Sequence, residues 1–321
     1  MDEIRSLYRD YAQYLKEKYK EKVYKLPVNI AGTCPNRDGT IGSGGCIFCD
    51  EQGAGFEALS VELSVAEQLE RNKSFFSERF NARKFIAYFQ AYTNTYLPLE
   101  DFKKNILQAC SLIDLVGISV STRPDCLGDE YLSFLKEISI RKGIDIQIEL
   151  GLQTANYHTL KKINRGHGLA EYIDSVMRIR GYAFEICTHL ILNLPWDDRT
   201  DVVESARIIS VLGVDSVKLH SLYIVRDTIL GDMYERGEIK LISLEEYIDR
   251  VILFLENLNE DIVIQRLVGK GPQGNMLFCN WDTSWWKIKS MIEEKMRAQK
   301  TYQGKCRYKD GFRKTKQQES G

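Results

Sequence analysis

The sequence predicts an α/β protein built as a partial barrel of parallel strands, and three observations predict it. Apolar runs of strand length alternate six times with amphipathic helical patterns. The strand candidates read as nearly continuous apolar runs, as strands covered on both faces do, while the helical stretches keep a 3.6-residue apolar period. Six units fall short of the eight that close a barrel, so the sheet stays open or partly closed. A chain of 321 residues, 44% of them hydrophobic, has enough material for one large core.

The elements follow in order. Residues 1–24 are highly charged and read as an N-terminal helix. Strands are expected at 25–32, 84–92, 115–121, 145–153, 184–194 and 215–225. Helices are expected between them at 64–80, 99–111, 129–139, 169–181 and 200–213. The barrel therefore spans 25–225. From 226 to 300 the pattern changes to a helix at 243–258, a strand at 261–269 and a Trp-rich helix at 281–298, read as a C-terminal α/β extension packed on the sheet. Residues 301–321 form a basic tail, expected to be flexible.

No apolar run approaches the roughly 20 residues of a membrane span. The charged N-terminus lacks the apolar stretch of a secretory signal, so a cytoplasmic protein is expected. Eight cysteines are too few to staple a chain this long, and only three of them cluster. The net charge of −1 hides an asymmetry. Between Lys300 and Lys316 stand seven Lys or Arg residues and one acid, Asp310, giving +6 on a body of −7. Such a stretch suits an anionic partner such as nucleic acid, and equally a solvated tail.

Cys34, Cys46 and Cys49 follow the first strand in the run CPNRDGTIGSGGCIFC. In sheets of this kind ligands collect at the carboxyl ends of the strands. Thiolates are soft ligands for zinc or iron–sulfur clusters. A structural zinc site takes four protein ligands, and no fourth Cys or His stands nearby in sequence. Three cysteines suit a [4Fe–4S] cluster with one iron open, and the glycines at 39, 42, 44 and 45 permit the backbone to wrap it. Zinc with a distant fourth ligand is the alternative.

A three-cysteine loop after the first strand of a six-unit partial barrel resembles the radical S-adenosylmethionine (SAM) superfamily. The long first gap departs from its common Cys-x3-Cys-x2-Cys spacing. It resembles the branch containing the elongator catalytic subunit, and most closely a bacterial Elongator-like group typified by CPNRDGT…GGCxFC. The likeness runs from about Lys25 to Trp286. It implies a barrel of radical SAM type, a [4Fe–4S] cluster on the three cysteines, SAM as cosubstrate, and a flavodoxin or ferredoxin as electron donor.

The resemblance also implies roles at the strand ends. Where the family usually has a Gly-Gly-Glu-like segment for the SAM amino group, this chain has Phe89-Gln90-Ala91, making Gln90 the candidate acceptor. Arg123, in STRPD, has the planar fork that pairs a carboxylate. Glu149, in IELGLQT, stands at the ribose-recognition position, and Gln153 can reach SAM or substrate. A Glu in an apolar strand is costly unless it is paired. Arg165 and His167, in NRGHG before a helix, and His220 on the sixth strand are substrate-side candidates. The sixth strand also carries Lys218 and Tyr223, and the fifth His189 and Asn193. No catalytic acid or base is assigned.

The function this implies is SAM cleavage to a 5′-deoxyadenosyl radical acting on tRNA, at a wobble-uridine side chain. Trp281, Trp285 and Trp286 can stack bases, or simply pack a helix. The elongator subunit's second, acetyltransferase domain does not fit in this length, so remodelling an existing aminomethyl-type substituent is the compatible chemistry. Two other classes stay open: radical oxidation of a small metabolite, resembling the oxygen-independent coproporphyrinogen oxidases, and a zinc-stabilised nucleic-acid-binding module without catalysis.

Overall fold

The computed structural model describes residues 6–49, 58–271 and 275–307. Its main sheet is built from Val23–Val28 (β1), Lys84–Phe89 (β2), Leu115–Thr122 (β3), Asp145–Gln153 (β4), Glu185–Ile191 (β5), Ser216–His220 (β6) and Val263–Arg266 (β8). They lie in that order and every pair is parallel. The sheet curls into a half-barrel. Its edges approach each other across the interior, where Lys25 Nζ of β1 donates to Gln265 Oε1 of β8 at 3.0 Å.

Helices make the crossovers: Val65–Phe80 (α2), Leu99–Ala109 (α3), Asp129–Lys142 (α4), Leu169–Gly181 (α6), Arg199–Leu212 (α7) and Leu244–Asn257 (α9). Their ends carry the residues that satisfy orphan backbone groups. Ser64 and Glu67 form a capping box on α2, Asp198 and Asp201 one on α7, and Gly213 closes α7 in the left-handed conformation. Period-two alternation along the strands separates two faces. Leu26, Val28, Leu150 and Leu152 join the core. Lys25, Ser119, Gln147, Glu149, Lys218 and Gln265 bond one another inside the curl.

Tyr11–Tyr19 (α1) lies across the amino ends of the strands. Tyr14 donates to Glu185 at 2.5 Å, at the start of β5, and Tyr19 to Asp145 at 2.6 Å, at the start of β4. Ile264 N donates to Arg9 O at 2.8 Å, stitching the segment before α1 to β8. The barrel is thereby covered at its amino end and accessible at its carboxyl end. Among the described residues no helix is long and apolar enough to cross a membrane.

Several elements differ from expectation. The strand at 261–269, expected in an appended extension, supplies β8 and is the seventh member of the main sheet. The repeat is masked because a short strand, Ile224–Val225 (β7), and the helix Ile229–Glu235 (α8) interrupt the spacing between β6 and α9. The sixth apolar run breaks at 221–223, where Asn193 Oδ1 accepts from Leu222 N at 2.6 Å. Beyond the break, β7 pairs antiparallel with Met276–Phe278 (β9). A short helix, Tyr157–Lys162 (α5), follows β4. The Trp-rich helix starts late: Trp281 takes φ of 51° in a turn, and Trp285–Ala298 (α10) begins after Ser284.

The start of the basic stretch is docked. Gln303 N donates to Leu7 O at 2.9 Å, and its side-chain amide donates to Asn259 O and Ile262 O. Gly304 N and Cys306 N bond Leu255 O and Glu256 O. Lys309, Arg313, Lys314 and Lys316 lie outside the described residues.

Candidate active site

The cysteine loop leaves the carboxyl end of β1 and folds on itself. Arg37 N bonds Cys34 O at 2.8 Å, Ile41 N bonds Pro35 O at 2.9 Å and Gly45 N bonds Asn36 O at 2.8 Å. Gly44 and Gly45 hold φ of 78° and 82°, where a side chain is strained. The chain thus turns sharply just before Cys46.

A second segment, Asn164–Gly168, clamps this loop. Asn36 Nδ2 donates to Asn164 O, and Asn164 Nδ2 donates to Gly45 O at 2.8 Å. Ile47 N donates to Ile163 O at 3.1 Å. Arg165 Nη1 points at Cys46 Sγ from 3.5 Å, while Nη2 donates to Gly151 O at 2.7 Å. A Cβ at Gly151 would meet Arg165 Nη2 at 2.7 Å, so a side chain there would have to displace the guanidinium. Arg123 reaches Cys34 Sγ at 3.8 Å and is braced by Asp125 through two bonds of 2.8 and 2.7 Å. Two guanidiniums therefore face the sulfurs, the charge complement that thiolate ligands require. The Cys49 thiol, together with Arg165 and Arg123, lowers Cys46 to about 5 despite burial.

The three cysteines share one cleft of roughly 190 Å³ with Gln90, Arg123, Glu149, Gln153, Arg165 and His220. Nine of the ten residues singled out from the sequence thus line one cavity at the carboxyl ends of the strands. His167 lies behind it, with its ring nitrogens on Gly151 O and Gly168 O at 3.2 Å. Burial, with Arg165 and Arg123 nearby, pushes His167 down to about 3, so it stays neutral. Gln153 sits at φ 77° beside a register shift in β4, which turns the strand end toward the cleft.

Glu149 has partners other than the ribose hydroxyls expected of it. Its Oε1 accepts from Lys25 Nζ at 2.5 Å and Ser119 Oγ at 2.7 Å. Its Oε2 accepts from Lys218 Nζ at 2.6 Å and bonds His189 Nε2 at 2.8 Å. Burial alone would raise this carboxyl, but Lys218, Lys25 and His189 hold it well below the usual range. His189 Nδ1 meets His220 Nε2 at 3.2 Å, and Arg266 Nη2 meets His220 Nδ1 at 2.7 Å. Lys25, Arg266, Asn36 and Asn164 were not singled out from the sequence. A Lys and an Arg inside apolar strands were the available signal for the first two. The clamp left none, because its partners are 128 residues apart.

Among the described residues, the ligand group whose atoms all fall within 4.8 Å is Glu149, Cys187 and His189, without the three cysteines. That group's carboxylate is already paired with two lysines. Three soft thiolate donors on one loop, faced by two guanidiniums, are the donor set an iron–sulfur cluster takes.

Comparison with known proteins agrees with this chemistry. Residues 28–209 match the family model described as the radical SAM superfamily, and residues 214–298 match the radical SAM C-terminal domain. The protein YtqA of Bacillus subtilis is 34% identical over 292 residues, which cover 91% of this chain and 90% of that protein. A tRNA uridine(34) acetyltransferase of Methanocaldococcus jannaschii is 25% identical over 141 residues, 42% of this chain and 24% of its own length. Among solved structures, the Methanocaldococcus infernus Elp3 with an N-terminal deletion superposes with a TM-score of 0.66 at 16% identity, a likeness of fold. The superposition covers 88% of this chain and 64% of that one.

Proposed function

The chain belongs to the radical SAM superfamily, whose members use a [4Fe–4S] cluster and SAM, and we propose that it modifies a wobble uridine of tRNA. In this reading Cys34, Cys46 and Cys49 hold the cluster. Arg123 and Arg165 offset the thiolate charge, and the Asn36–Asn164 clamp sets the loop's position. Gln90, Arg123, Glu149 and Gln153 are assigned to the SAM side of the cleft. When bound, cluster and SAM together supply a 5′-deoxyadenosyl radical that takes a hydrogen atom from the substrate. The protein's part is to orient both molecules, keep water away and hold His167, His189 and His220 neutral. The electron donor is taken to be a flavodoxin or ferredoxin, and the compartment the cytoplasm.

The observation that carries the radical reading is the gathering of three cysteines and two guanidiniums in one cleft. The choice of tRNA is supported by the named activity of the uridine(34) relative and by the basic residues after Lys300. Two measurements test the two levels separately. Reduced, anaerobically purified protein should convert SAM to 5′-deoxyadenosine. Mass spectrometry of nucleosides from total tRNA, with and without the gene, should show one wobble-uridine derivative lost and its precursor accumulated. An unchanged nucleoside profile would remove tRNA and leave the radical chemistry in place.

A further inference from the structure

The barrel interior adjoining the cleft carries an unbalanced charge. Lys25, Lys218 and Arg266 converge on the barrel interior, and Glu149 is the carboxylate among them. Lys25 and Lys218 are both matched to Glu149, whereas Arg266 has no acidic partner among the described residues. Its contact is His220, and its Nε is buried without an acceptor. His220 cannot supply negative charge. Its other ring nitrogen meets His189, which is itself bonded to Glu149. Beside the pair the wall is made by Gly269, where a Cβ would stand 3.5 Å from His220 Nδ1 and 3.9 Å from the Arg266 guanidinium. A side chain there would fill the space next to both. The Arg266 side chain is half-buried, with its Nε shut off from water and without an acceptor, so an anion in the cleft would supply the partner it lacks.

We propose that Arg266 and His220 bind an oxyanion of the substrate, a carboxylate or a phosphate, on the β6–β8 wall of the cleft. Arg123 and Arg165, which touch the cysteines, come from β3 and the segment after α5, so this anion is separate from charges at the cluster loop. The assignment rests on the cleft being the reaction site, as proposed above, and adds the chemical class of the group that anchors the substrate.

The free protein tests it without turnover. The chain has four histidines, at 158, 167, 189 and 220, so carbon-13-labelled histidine gives four signals, and His220→Gln identifies one. Burial and Arg266 hold His220 well below its ordinary value. An oxyanion seated against Arg266 should raise the His220 titration midpoint by about one unit or more. Acetate and inorganic phosphate are titrated separately, with chloride as control, to tell the two anion classes apart. The shift should saturate in the native protein, weaken in Arg266→Lys and vanish in Arg266→Gln. A circular-dichroism melt confirms that each variant is folded, and Arg266→Lys alone decides if Arg266→Gln is not. A His220 signal indifferent to both anions, or equally responsive after substitution of Arg266, overturns the proposal. Either result leaves SAM cleavage untouched, and failure of SAM cleavage would leave the anion response standing.

Discussion

Arg165 bridges Cys46 and the end of β4, with one guanidinium nitrogen 3.5 Å from Cys46 Sγ and the other 2.7 Å from the Gly151 carbonyl oxygen. Placement of the cysteine loop therefore depends on a strand position 105 residues after Cys46, and on the absence of a side chain at position 151. Gly151→Ala would push its Cβ against Arg165 Nη2. We expect Gly151→Ala protein to fold, because the close atom ends a flexible side chain, but to retain less iron after anaerobic reconstitution. Iron content equal to the parent would show that Arg165 does not govern the loop.

The cysteines themselves give a sharper contrast. Iron–sulfur clusters are held by direct bonds to thiolates. Cys34→Ala, Cys46→Ala or Cys49→Ala should each abolish the visible absorbance and the iron of reconstituted protein. Cys110→Ala and Cys279→Ala should leave both unchanged, since neither residue lines the cleft. A Cys46→Ala protein with a full cluster spectrum would refute the ligand assignment.

Glu149 predicts a pH effect whose sign follows from its partners. Its folded value lies well below its ordinary 4.5, so its stabilisation is full at neutral pH. That contribution is lost as pH falls below the ordinary value toward the folded one. Glu149→Gln should therefore flatten the acid limb of the melting-temperature profile. At neutral pH it leaves Lys25 and Lys218 facing a neutral amide, and removing one partner of a buried pair costs about 3–5 kcal/mol. Denaturant unfolding at neutral pH would measure that loss, and a loss near zero would mean that the network does not stabilise the fold. The same folded variant tests the ribose contact: weaker SAM binding supports it, and unchanged binding removes it.

What could be read from the sequence, and what could not, has a physical pattern. The strand–helix alternation and the cysteine run are local signals, carried by residues within one turn or one loop of each other. They located the half-barrel and the cleft. Partners joined only by the curl of the sheet, such as Lys25 with Gln265 or Glu149 with Lys218, are far apart in the chain and leave no period to detect. A Glu inside an apolar strand announced that it needed a partner, but not which one. The seventh strand was hidden because β7 and α8 break the regular spacing before α9. Trp281 fell outside the helix because Asn280, Trp281 and Asp282 all take positive φ, while the Trp281 indole donates to Ile242 O at 2.8 Å.

The docked segment also changes where the basic stretch should be cut to test its role. Ending the chain after Gln299 would remove Thr301 and Gln303, both buried, and expose α9 along with the lost charges. A chain ending at Arg307 keeps these contacts and loses Lys309, Arg313, Lys314 and Lys316. A body with net negative charge repels a polyanion, so binding of tRNA needs compensating cations. Counterion release makes log affinity fall with log salt by roughly 0.9 per duplex phosphate contacted and roughly 0.7 per single-strand phosphate. If these four residues reach phosphates, the shortened protein should bind tRNA more weakly and with a shallower salt slope, while cleaving SAM at the parent rate without tRNA. Fluorescence anisotropy at two salt concentrations measures both quantities. Equal affinity and slope for the two proteins would make the segment a solvated tail, and the reading of tRNA as substrate would then rest on the uridine(34) relative and the nucleoside profile.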